Sequence, residues 1–149
     1  MKKYEISIKK DEILEEVSLN TAYTGAKTGD IPGTFDKVAT IEGDHRLLGK
    51  IWGWVCGEVI EKVREFIADS ESAENELKII LEMSEAFDSS LFPSVVSDMK
   101  AAVAAGVSAR WFGYSFPEKA GEWEGLFERL LQRAFSKLCH RRKPHRPKL

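Results

Sequence analysis

The chain has 149 residues, with 22 Lys and Arg against 24 Asp and Glu for a net charge of −2. Its length suits one domain with a modest continuous core, and its 43% hydrophobic and 31% charged residues exclude a disordered or fibrous chain. No apolar stretch approaches the roughly 20 residues that span a bilayer. Met1-Lys2-Lys3-Tyr4-Glu5 has charge with no apolar run behind it, unlike a signal peptide. A cytoplasmic protein without a membrane partner is expected.

Residues 3–9 alternate, with Tyr4, Ile6 and Ile8 on one side and charged or hydroxyl residues on the other, which predicts a half-buried strand. The period then changes. Ile13, Leu14 and Val17 make a helical stripe behind Asp11 and Glu12, acids placed where the helix dipole favours them, and a helix is expected over 11–23. Residues 24–39 are dense in turn formers and read as a loop. Lys27-Thr28 follows Ala26 where the phosphate-loop pattern requires Gly, so no phosphate cradle is read there.

Thr40 is a plausible cap, with Glu42 and Asp44 behind it. From Leu47 to Ile67 apolar residues recur at three and four, predicting one long helix over 41–68. Gly49, Gly53 and Gly57 fall on one ridge, which suggests close packing against another helix. Residues 69–75 read as a polar connection, and Leu77, Ile79, Leu81 and Met83 alternate as a second strand over 76–83. Pairing it with 3–9, inside one chain or between subunits, would satisfy both backbones. Ser89 or Ser90 should cap a third helix over 90–114, with Pro93 in its first turn, and Pro117 opens a fourth over 117–141. The expected fold is α+β and mostly α: a four-helix core with a small two-stranded antiparallel sheet.

The charge is unevenly spread. Residues 140–149 hold five of the 22 cations and none of the acids, leaving 17 cations against 24 acids, −7, in residues 1–139. A single acidic domain, 1–139, thus ends in a basic arm, 140–149, in which Pro144 and Pro147 bar a helix. Arg141, Arg142, Lys143, Arg146 and Lys148 are candidate interaction residues for an acidic protein surface or nucleic acid, and a solvated tail is the bland alternative. The arm is expected to be mobile from 141 to 148.

Chemistry is harder to find. Cys56, Cys139, His45, His140 and His145 match no metal spacing, and no nucleophile, base or carboxylate pair recurs at a defined spacing. No catalytic, cofactor or metal residue is assigned, and a non-enzymatic protein is expected. Trp52, Trp111 and Trp123 lie on apolar stripes and read as core. Trp54 lies off its stripe, either as an exposed interface residue or half buried under the loop at 24–39.

Several segments carry a resemblance. In order they are residues 20–27, Asn-Thr-Ala-Tyr-Thr-Gly-Ala-Lys; residues 40–44 before a helix with Trp52; Phe87-Asp88; Trp111; and residues 141–147, Arg-Arg-Lys-Pro-His-Arg-Pro. Together they resemble small uncharacterised proteins encoded among the virion structural genes of tailed phages and prophages of gut bacteria. That resemblance implies a structural role at the tail or head–tail joint and a homo-oligomer in contact with other virion proteins. It also implies residence in the cytoplasm during assembly and then in the virion. The alternative is a nucleic-acid-binding accessory protein that uses the arm.

Overall fold

A computed structural model describes the backbone of residues 1–27 and 45–143, and the side chains of these apart from 21–27, His45 and Ser115. The expected cap at Thr40, most of the expected loop, and Arg146 and Lys148 lie outside the described residues. Strand β1 is Lys2–Lys9, helix α1 Lys10–Lys27 and helix α2 His45–Lys62. A 3-10 turn at Arg64–Phe66 leads to strand β2, Ile67–Ser72, and then to strand β3, Glu76–Met83. A second 3-10 turn at Ser89–Leu91 precedes helix α3, Phe92–Ser115, and helix α4 is Pro117–Cys139.

The α+β, mostly helical fold is present, and β1 pairs with β3 antiparallel inside the chain, from Lys2 opposite Met83 to Lys9 opposite Glu76. The sheet has three strands rather than two, in the order β1-β3-β2. β2 occupies what read as the end of the long helix and a polar connection. The helix stops at Lys62, and Asp69 to Ser72 pair with Ile80 to Leu77. Alternation reveals a strand only when one of its faces is buried. Residues 68–72 are all exposed, so β2 is held by its backbone ladder and leaves no apolar trace. At the other helix ends, α1 runs four residues past the expected 23, and α4 stops at Cys139 instead of 141.

The helix α3 is the hub. It packs along α4 and also touches α1 and α2, and Val95, Met99, Ala102, Val103 and Val107 are fully buried on it. The sheet lays Ile6, Ile8, Leu77, Ile79 and Leu81 into the same core. Tyr4 at the sheet margin meets the rings of Phe87 and Phe92, with centroids 5.5 and 4.9 Å away. Asp88, rather than a serine, organises the start of α3. Its Oδ1 accepts from Ser90 N at 3.1 Å and Ser90 Oγ at 2.7 Å, and those two bonds hold its carboxyl below the usual aspartate range.

The close helix approach expected along Gly49, Gly53 and Gly57 occurs elsewhere. No described atom lies within 4 Å of where a side chain would begin at Gly53 or Gly57. At Gly106 such an atom would stand 2.8 Å from two ring carbons of Phe127 and 3.0 Å from Val55 Cγ1, because α2, α3 and α4 converge there.

Candidate functional site

The buried stripe of α2, Ile51, Trp52, Val55, Cys56 and Val59, fixes which way the rest of that helix points. Opposite it, Trp54 is 52% exposed. An indole left that far in water on a rigid helix is an unusual use of apolar area and is characteristic of interface residues. Residues 54, 58 and 61 recur at i, i+4 and i+7, so Trp54 stands one turn before Glu58 and two turns before Glu61 on one side of the helix.

That side of α2 forms one wall of a groove. The opposite wall is α4, with Glu124 and Glu128, and Glu65 closes the lower end. The floor is apolar and largely aromatic: Phe127, Leu131 and Phe135. The volume is about 670 Å³. Arg110 of α3 braces the upper end, its Nη2 2.5 Å from Glu58 Oε2 and its Nη1 2.8 Å from Glu124 Oε2, with the guanidinium 5.3 Å from the Phe127 ring centre. Lys62 braces the lower end by donating to Gln132 Oε1 at 2.8 Å, and its ammonium lies 4.9 Å from the Phe135 ring centre. Glu65 and Glu128 are exposed and enter no ion pair among the described residues, and Glu61 has only an exposed contact to Arg64 at 3.5 Å. The groove therefore offers a hydrophobic bed between acidic rims, a combination the spacing of single residues does not disclose. Glu58 and Glu124 on its two walls are 66 residues apart in sequence, and only the α2–α4 convergence brings them together.

The root of the basic arm is fixed, which corrects the expectation that it moves freely from 141. Arg141 forms an antiparallel bridge with Phe87, and its Nη1 donates to Leu138 O at 2.6 Å. Arg142 N donates to Ala86 O at 2.8 Å, and its Nη2 donates to Glu85 O at 3.1 Å. Two of the candidate residues are thus partly spent on the domain. Lys143 is exposed.

A second cavity, of about 440 Å³, lies between the start of α1, the end of β2 and α2. Lys10, Arg46 and Lys50 line it and pair with no carboxylate among the described residues. Trp52 forms its floor, buried, donating from Nε1 to Ala73 O at 3.4 Å. Beneath lies Cys56, whose thiol burial pushes up to about 12 against smaller opposing effects of Ser72 and Lys10. Trp111 is buried and Trp123 stacks on Phe112 at 6.1 Å, so both serve the core.

Among the described residues no three His, Cys, Asp or Glu converge as a metal site, and no helix is long and apolar enough to cross a membrane. No family model, curated protein or solved structure matches the chain.

Proposed function

We propose that the chain is a non-enzymatic structural subunit that works by associating with copies of itself, in the tail or head–tail connector region of a phage or prophage particle. The observation that carries self-association is the continuous surface on α2 in which an exposed Trp54 leads into the acid-rimmed groove. A large aromatic beside a preformed concavity is what a specific protein contact needs at its centre. The virion setting, with other virion proteins as further partners, rests on the resemblance of the segments from Asn20 to Pro147. The protein would be cytoplasmic during assembly and part of the particle afterwards.

Sedimentation over a wide concentration range tests the reading. Concentration-dependent association is expected, weakened at least ten-fold by Trp54→Glu with the melting temperature unchanged. A protein that stays monomeric throughout overturns it.

A second reading, a nucleic-acid-binding accessory protein, draws support from the basic cavity of Lys10, Arg46 and Lys50 together with the arm. Duplex DNA binding that falls steeply with salt would favour it, because phosphate contacts release counterions.

A further inference from the structure

We propose that the groove between α2 and α4 receives the basic arm of a second copy of this chain. This rests on the self-association reading and names the two surfaces that meet.

The arm and the groove match in three respects. In charge, residues 140–149 carry five cations and no acid, while the groove is rimmed by five glutamates, of which Glu61, Glu65 and Glu128 keep their carboxylates turned to water. In shape, the arm reads Lys143-Pro144-His145-Arg146-Pro147-Lys148-Leu149. A polyproline II segment has about three residues per turn. In that conformation Pro144 and Pro147 share one side and Lys143, Arg146 and Leu149 share another. Proline-rich segments of this kind dock in aromatic-lined grooves and enter them already ordered, at little entropic cost. Phe127, Leu131 and Phe135 supply such a bed for the prolines, and the glutamates flank it for the cations.

The third respect is reach, and it favours the arm of a neighbour over that of the same chain. The arm leaves the domain at Arg142, which is bonded to Glu85 and Ala86 beyond the end of α4. From Cys139 back to Glu124 is about 22 Å of helix at roughly 1.5 Å per residue. The seven residues after Arg142 span at most about 24 Å fully extended. To lie along its own groove the arm would have to reverse direction at its root and then use its whole length to reach the far end. The arm of a neighbour, approaching from outside, faces no such limit. An arm on one surface and its groove on another make a head-to-tail contact, which repeats into a ring or an open helix.

Three full-length variants test this by sedimentation and native mass spectrometry: the groove variant E61K/E65K/E128K, the arm variant K143E/R146E/K148E, and a chain carrying both sets. Each single variant is expected to associate at least ten-fold more weakly than the unmodified chain. Mixed together, the two should co-assemble in a one-to-one ratio, since the native cationic arm of the groove variant meets the native glutamates of its partner's groove and the acidic arm of the other meets the new lysines, whereas each variant alone sets like charges against each other. The chain with both sets reversed should regain self-association. All the altered positions lie on exposed or terminal residues, and a thermal melt checks the fold; if the groove variant melts early, E61Q/E65Q/E128Q replaces it with a smaller expected loss. Undiminished association of both single variants would overturn the arm–groove contact and leave self-association standing. Sensitivity of the arm variant alone would place the arm elsewhere and overturn it too. A strictly monomeric unmodified chain would overturn both readings.

Discussion

A methyl group at Gly106 would press on the Phe127 ring from 2.8 Å and on Val55 from 3.0 Å, whereas at Gly53 no described atom lies within 4 Å. Both are helical glycines, and alanine is intrinsically favoured at both by about 1 kcal/mol. Overpacking a tight core costs about 1–3 kcal/mol. Gly106→Ala should therefore lower stability by about 1–2 kcal/mol, and Gly53→Ala should raise that of the dilute protein by about 0.5–1 kcal/mol, both read from urea midpoints. Sequence pointed to the wrong glycines, because three on a ridge is a visible pattern and one beneath an aromatic ring 21 residues away is not. Cys56 offers a second residue-scale outcome. Its buried thiol is held up at about 12, from an ordinary 9.0. The unfolded chain ionises this group at lower pH than the folded one does. Its contribution is therefore fully present below pH 9.0 and lost progressively as pH rises toward about 12. Alkaline melts should show that decline, and Cys56→Ala should flatten it. Iodoacetamide should label the exposed Cys139 in the native protein and spare Cys56 until unfolding.

Among the elements, the pair α3 and α4 is joined at its base by a contact that periodicity could not predict. Lys137 Nζ lies 2.6 Å from Asp98 Oδ2 and 2.5 Å from Ser94 Oγ, and Asp98 is only 9% exposed. Lys137 stands in the last turn of α4, where a cation complements the helix dipole. In the fold it neutralises a nearly buried carboxylate. Lys137→Met should cost about 1–3 kcal/mol in chemical denaturation, because it strands that charge. Adding Asp98→Asn should recover part of the loss. Of the elements read correctly, β1, β3 and α4 bury one face, and one-sided burial is what prints a period on a sequence; α3, buried all round from 102 to 109, shows itself instead by its length and by Pro93 in its first turn. β2 escaped because neither of its faces is buried, and Phe66 and Ile67 prolonged the helical rhythm of α2 past its end at Lys62.

For the molecule as a whole, the tie between the end of α4 and the turn after β3 joins the last part of the domain to the sheet. Arg142 supplies two of its hydrogen bonds. Intramolecular hydrogen bonds contribute about 0.5–1.5 kcal/mol each, and for a domain of this size each kcal/mol moves the melting point by about 2–4 °C. A chain ended at Cys139 should thus melt about 2–12 °C below one ended at Lys143, measured by circular dichroism. The charge split was legible in sequence. That the first two arginines of the arm belong to the fold was not, since Arg142 bonds to the backbone carbonyls of Glu85 and Ala86 and Arg141 bridges to Phe87, all more than 50 residues away in sequence. Nor was the groove legible, since its walls come together only through tertiary packing.

The two outer strands of the sheet bear on how such a protein behaves when crowded. Among the described residues β1 and β2 each have one side with no strand beside it, and an open strand edge is the usual template for runaway cross-β growth. β2 presents Asp69, Ser70, Glu71 and Ser72 to water and carries an irregularity in register between Ile67 and Asp69. β1 bears Lys2, Lys3, Glu5 and Lys9 along its length. An incoming strand would have to match a kinked ladder and bring its own side chains against this fence of charge. Copies held shoulder to shoulder at high local concentration are therefore discouraged from joining their sheets edge to edge and can remain separate folded bodies.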